Sequence, residues 1–277
     1  MVAIKAKTLS EVLEIIYNRD TIIFAGGTDL MVKYKNWSNL VPRINKDVIF
    51  IDDIDELKHI NEGQGSIEIG SCCSLSDISK NNSIPYVLRE AADNMASVAV
   101  RNLATMGGNI CNSSPAGDLL PPLYALDAKI KIESKDYQRI LPINEFILGP
   151  GKNLLRKNEI VTKVIIKKEV FQKEIYKKVG TRKSTALSKL SFVGLCKRND
   201  VGIVDIRIAF GAVGPKVVYS KNIEEEIIKK GLLNKGDIEN IIYQYIDLIS
   251  PITDQRSNKF YRKNVCLNIL EDFFKKI

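Results

Sequence analysis

The chain has 277 residues, 45% of them hydrophobic and 27% charged, the composition of a globular protein able to bury a core in one large or two ordinary domains. No apolar run reaches the length of a membrane span, and Met1 to Lys7 carries no apolar signal core, so a cytoplasmic location is expected. The formal net charge of +8 comes from 41 basic and 33 acidic residues spread along the chain; with no dense basic stripe interleaved with aromatics, nucleic acid is not expected as a partner.

Taken in chain order, Thr8-x-x-Glu11 is a capping-box pattern opening an amphipathic helix with Val12, Leu13, Ile15 and Ile16. The run Thr21 to Phe24 predicts a buried strand that ends in Ala25-Gly26-Gly27-Thr28-Asp29-Leu30, with Asp29 placed to cap a helix from Met31 to Lys35. Strands are expected at 48–51 and 66–69, and helices from Ser76 and from Pro85. A second glycine-rich segment runs from Ala104 to Asp118, and strands at 128–133 and 161–167 flank the loop at Leu148 to Gly151. The charged stretch Glu169 to Glu174 reads as a linker, giving a domain of residues 1–170, with lobes of about 1–55 and 56–170, and a second domain of 171–277. In that second domain Lys178 to Arg182 and Ile203 to Ala212 read as antiparallel strands. Helices at 223–230, 237–249 and 258–275 follow them, so the fold class is α+β.

Cys72, Cys73, Cys111, Cys196 and Cys266 form no C-x-x-C pair, so neither a disulfide framework nor a metal site is expected. His59 stands alone among charged residues, and no acid–base dyad or Ser-His-Asp triad can be assembled; no catalytic side chain is assigned. The distinctive feature is the pair of Gly-Gly steps, Gly26-Gly27 and Gly107-Gly108, each followed by small polar residues. Glycine lets backbone approach a ligand closely, and successive N–H groups in such turns make an anion-binding nest. Thr28, Thr105, Asn109 and Ser113 or Ser114 could add donors, and two nests suit a diphosphate better than one. Neither G-x-x-x-x-G-K-[ST] nor G-x-G-x-x-G is present, which speaks against a P-loop or a Rossmann dinucleotide fold.

These residues resemble a known family. Ala25 to Leu30 and Thr105-Met106-Gly107-Gly108-Asn109-Ile110 look like the paired FAD signatures of the FAD-binding (medium) subunit of molybdenum hydroxylases, the xanthine dehydrogenase and carbon monoxide dehydrogenase flavoprotein type. Val100-Arg101-Asn102, the continuation Asn112 to Leu123, and Asp254-Gln255-Arg256-Ser257-Asn258-Lys259-Phe260-Tyr261-Arg262 match in the order that family has them. The resemblance implies a two-lobed FAD-binding domain of the PCMH type followed by a smaller α+β C-terminal flavoprotein domain. It implies FAD contacts from Ala25, Gly26, Gly27, Thr28, Asp29 and Leu30 in the first loop, and from Thr105, Gly107, Gly108, Asn109, Ser114 and Asp118 in and after the second. A basic residue on the strand entering the C-terminal domain would tune the flavin; Lys177 is the best match and Lys178 a one-residue slip away. Molybdopterin on a large subunit and two [2Fe–2S] clusters on a small one are the implied partners, with NAD⁺ or another molecule as the acceptor. The readings set against this are a stand-alone flavin reductase on the same scaffold and a flavin-free assembly protein.

Overall fold

The computed structural model describes residues 2–277, which form three larger sheets in succession along the chain and one two-stranded hairpin. The first is a small parallel sheet in the order β1-β3-β2, from β1 (Ala3–Lys5), β2 (Thr21–Phe24) and β3 (Asp47–Phe50). Helix α1 (Leu9–Asn18) crosses over it; Thr8, in extended conformation, accepts from the Glu11 N–H, and Val12 and Ile16 bury the apolar face. Between β2 and β3 the chain makes the short helix α2 (Leu30–Lys33) and a long loop.

The second sheet is antiparallel, in the order β4-β5-β10-β6-β7: β4 (Ile60–Glu62), β5 (Ser66–Gly70), β6 (Lys129–Glu133), β7 (Gln138–Pro142) and β10 (Ile160–Lys167). Between β5 and β6 lie five helices: α3 (Leu75–Lys80), α4 (Tyr86–Asp93), α5 (Val98–Leu103), α6 (Met106–Asn112) and α7 (Leu120–Ala125). After β7 come α8 (Ile143–Phe146) and a hairpin of β8 (Ile147–Gly149) with β9 (Lys152–Asn153). The inward residues of this sheet, Ile67, Ile69, Ile130, Ile132, Val164 and Ile166, pack under Met106 and Ile110 of α6. The second glycine pair therefore stands on a rigid floor.

The third sheet, in the order β11-β12-β13-β14, is antiparallel: β11 (Lys173–Val179), β12 (Leu190–Asn199), β13 (Gly202–Gly211) and β14 (Val218–Tyr219). The sequence placed its first strand at Lys178 to Arg182 and overlooked β12; the chain is already extended at Lys173, inside the stretch read as linker. β12 is buried on both faces. Val193 and Leu195 join the core beneath α7, whereas Leu190, Phe192 and Cys196 face the terminal helices α9 (Lys221–Lys230), α10 (Lys235–Leu248) and α11 (Lys259–Phe274). A strand buried on both sides has no polar alternation to mark it, which is why it escapes a pattern search. The period of two in this sheet decides which residues of β11 reach the rest of the molecule.

Candidate flavin site

The first glycine pair follows β2 directly. Gly27 has φ +67°, and a Cβ there would lie 2.1 Å from the Phe24 ring; Gly26 has no room either, since its Cβ would lie 1.7 Å from the Leu103 carbonyl oxygen at the end of α5. That contact presses the loop against the chain just before Thr105, so the two glycine pairs, far apart in sequence, become neighbours. The Gly27 carbonyl accepts from Met31 at 2.9 Å. The N–H groups of Gly26, Gly27, Thr28 and Asp29, by contrast, donate to no protein acceptor among the described residues. Four successive free donors at one turn are suited to an anion. Asp29 stands at the N-cap position of α2, as the sequence suggested, but makes no side-chain cap. Its φ of −93° and ψ of −37° are already helical, and its carboxylate accepts no capping bond, which needs extended backbone.

The second pair is built differently. Thr105 caps α6, its Oγ1 accepting from Gly108 N–H at 3.1 Å. Met106 N–H donates to the Cys73 carbonyl at 3.0 Å, Gly107 N–H to Ser71 at 2.8 Å and Asn109 N–H to Thr105 at 3.0 Å. All four donors are taken, so this segment is not the second nest expected from its glycines. Gly107 is required because a Cβ would lie 2.7 Å from that of Ser71. What remains for a ligand is the exposed Gly108, the hydroxyl hydrogen of Thr105 and the Asn109 side chain, whose buried Oδ1 has no partner. An orphaned buried acceptor calls for a ligand or water N–H or O–H. Beyond the helix, Ser113 turns the chain in a left-handed conformation, and the Ser114 hydroxyl accepts from Ala116 N–H at 3.3 Å. The Pro115 carbonyl accepts from Ala212 at 2.9 Å, tying this segment to the third sheet.

Asp118 is the charged centre. It is buried, and it accepts from the Lys178 ammonium at 2.7 Å and from the Ser188 hydroxyl; Lys178 also donates to the Asn94 carbonyl at 2.8 Å. Burial pushes the Asp118 carboxyl above the usual carboxylate range, with Lys178 and Ser188 pulling the other way. Its carboxylate caps nothing: α7 is entered through Leu119, with no side-chain cap. The basic residue expected to serve the flavin was Lys177, with Lys178 one residue away; of the two, Lys178 is the one that reaches Asp118. Lys178 pairs across the sheet with Ser191 and shares the face of Val193, towards α7. Lys177 pairs with Phe192, faces α11 and binds Asp272 at 2.6 Å. Sequence reading also missed Ser188 and the Asn94 carbonyl, which reach the site only through tertiary folding and carry no motif. Cys111 is inert: burial pushes its thiol up to about 12. Arg256 and Arg262 both bind Asp254, at 2.7 Å and 2.5 Å, and so fasten the entry to α11 rather than serving the glycine loops.

A cavity of about 380 Å³ lined by Leu126, Asp127, Glu169 and Arg207 among others shares no lining residue with these loops. Its Arg207 is engaged by Glu169 at 2.7 Å, Asp205 at 3.1 Å and Asp127 at 3.2 Å. That network joins the second and third sheets and leaves little for a ligand.

The donor set therefore fits a diphosphate-bearing ligand with hydroxyl groups: free backbone donors in one loop, an open glycine and an orphaned amide oxygen in the other, and a buried carboxylate–ammonium pair on the segment that follows the second. Residues 1–167 match the FAD binding domain in molybdopterin dehydrogenase, and residues 174–277 the CO dehydrogenase flavoprotein C-terminal domain. The chain belongs to this family. The molybdopterin dehydrogenase FAD-binding chains similar to it include the xanthine dehydrogenase FAD-binding subunit of Escherichia coli O157:H7, 26% identical over 99% of this chain and 93% of that one. The glyceraldehyde dehydrogenase medium chain of Sulfolobus acidocaldarius is 28% identical, covering 99% and 97%. In fold, the chain resembles a chain of carbon monoxide dehydrogenase from Hydrogenophaga pseudoflava with a TM-score of 0.88 at 21% identity, covering 98% of this chain and 95% of that one. As a family member the protein is an FAD-binding subunit of an oxidoreductase, and no helix among the described residues is long and apolar enough to cross a membrane.

Proposed function

We propose that this chain is the electron-transferring flavin subunit of a xanthine dehydrogenase-like molybdenum hydroxylase. It receives electrons from iron–sulfur clusters on a small partner subunit and passes them to NAD⁺ or another acceptor, while a molybdopterin-bearing large subunit oxidises the organic substrate. The observation that carries the reading is the run of unpaired N–H groups from Gly26 to Asp29, together with the buried Asp118–Lys178 pair.

FAD supplies the two-electron chemistry when bound. The chain's own residues hold and orient it. The N–H groups of Gly26, Gly27, Thr28 and Asp29 hold the diphosphate, with charge-assisted bonds worth roughly 1.5–3 kcal/mol each. Thr105 donates its hydroxyl hydrogen, and Gly108 leaves the space for close approach. Asn109 Oδ1, Ser114 and Asp118 take the hydroxyl-bearing portion, and Ala25, Leu30 and Gly107 shape the walls. Lys178 takes the role first given to Lys177, as a buried cation that would favour negative charge on a bound flavin. No acid–base dyad is needed for such a relay, in keeping with a chain that has one histidine.

The test is the visible absorption spectrum of the purified chain with added FAD, and of the Asp118→Ala and Lys178→Met variants. Stoichiometric flavin bands in the natural chain that weaken in both variants are expected. A folded chain that takes up no flavin overturns the reading in favour of an assembly protein.

A further inference from the structure

The segment that leaves the first glycine loop presents an unusual surface. Trp37, the chain's single tryptophan, is 77% exposed, Val41 79%, Val32 71% and Leu40 59%. Tryptophan is ordinarily among the well-buried residues, and isolated exposed apolar side chains are common, but four within one short segment are not. The loop is ordered by its own bonds. Asn36 Nδ2 donates to the Val41 carbonyl at 2.9 Å, Asn36 Oδ1 accepts from Trp37 N–H at 3.0 Å, Leu40 N–H donates to the Trp37 carbonyl at 3.1 Å, and Arg43 N–H donates to the Tyr34 carbonyl at 2.9 Å. The apolar side chains are thus held outward by a closed loop.

The charge around them has one sign. From Leu30 to Lys46 there is no Asp or Glu; Lys46 is paired with Asp20, whereas Lys33, Lys35 and Arg43 are exposed with no ion-pair partner among the described residues. An aromatic anchor with apolar neighbours and a basic rim is the composition of a protein-interface centre, and its complement is an apolar recess rimmed by carboxylates. Leu30, the last residue of the first glycine loop, is the first of α2, which leads into this surface, so whatever binds here sits next to the proposed flavin site.

We infer that the loop from Tyr34 to Arg43 is the docking surface for the subunit that delivers electrons to the flavin, and that this subunit meets it with an acidic face containing a recess for Trp37. The inference rests on the electron-relay reading for the identity of the occupant. Its anchor is Trp37, and its steering charges are Lys33, Lys35 and Arg43.

The experiment measures the affinity of the flavin-loaded chain for the purified iron–sulfur subunit at low and high salt. The chains compared are the natural one, Trp37→Ala, and the double variant Lys35→Glu with Arg43→Glu. Trp37→Ala is expected to weaken binding by about 30-fold or more at either salt, as loss of an aromatic hot spot does. The charge reversal should weaken it chiefly at low salt, because exposed charges are screened. Flavin content and Tm should stay at the natural values in both, since these side chains are exposed and outside the site. Unchanged affinity in both variants overturns the proposal. So does unchanged subunit affinity together with Trp37-dependent flotation on phosphatidylglycerol vesicles, which assigns the loop to a membrane surface, or with Trp37-dependent self-association, which assigns it to a second copy. Failure of the natural chain to bind flavin defeats the relay reading separately, because docking of the subunit can be measured on the flavin-free chain.

Discussion

Gly26-Gly27 and Gly107-Gly108 both follow apolar stretches and precede small polar residues, yet the first pair leaves four successive N–H groups without protein acceptors while every N–H from Met106 to Asn109 is taken. The first loop is backbone chemistry on offer. The second is a capped helix start, whose glycines serve packing against Ser71 at one position and an open surface at the next. One dipeptide thus performs two jobs. Which job it performs is set by the hydrogen-bond partners that the tertiary fold brings, not by the glycines.

The difference can be tested by adding a methyl group at each loop. Gly26→Ala should have the largest effect, because its Cβ would meet the Leu103 backbone carbonyl, which cannot rotate away. We expect destabilisation beyond the roughly 1–3 kcal/mol usual for overpacking, with flavin uptake lost; thermal unfolding and the flavin spectrum read the two effects. Next comes the buried charged pair. Lys178→Met leaves Asp118 buried without its ammonium and should cost about 3 kcal/mol, whereas Lys177→Met removes a solvent-screened pair with Asp272 and should cost far less. Denaturant titration of the two neighbours separates them, and equal losses would refute the facing assigned to the strand.

Much of this was legible in the sequence. The N-cap at Thr8 (though Glu11 answers Lys7 N–H rather than closing a capping box), the three C-terminal helices and the α+β class follow from local pattern, and the glycine pairs with their flanking residues point to the family. What was not legible depends on partners distant along the chain. The pairing register of β11 with β12 makes Lys178 rather than Lys177 the inward cation, and a one-residue ambiguity in sequence is a reversal of face in a strand. Ser188 meets Asp118 across 70 positions, and the donors of the second loop are consumed by Cys73 and Ser71, which no motif connects to it. Asp29 holds the N-cap position without a side-chain bond because the chain enters α2 already in helical conformation.

A smaller effect distinguishes capping from ligand contact at the second loop. Thr105→Val deletes the hydroxyl that accepts from Gly108 and should cost about 1 kcal/mol of stability, with Thr105→Ser restoring it. If serine restores both stability and flavin affinity while valine lowers both, the hydroxyl serves the helix and the ligand together. A stability loss with flavin affinity unchanged would make Thr105 a cap alone.

The smallest effect on folding is expected at Gly108, and it is the one that decides whether the second loop touches the cofactor at all. The position is exposed inside α6, and the nearest neighbour of an added Cβ is the Thr105 hydroxyl at 2.9 Å, a group that can shift by a few tenths of an ångström. Alanine also favours a helix interior over glycine by up to about 1 kcal/mol, so crowding and propensity offset each other and Gly108→Ala should melt close to the natural chain. A methyl group on the open face should nevertheless hinder a ligand that needs close backbone approach. A titration with FAD should therefore show weaker binding on an unchanged fold. Affinity equal to the natural chain's would mean that the ligand never reaches this turn, leaving the first loop and the Asp118–Lys178 pair to hold the cofactor without it.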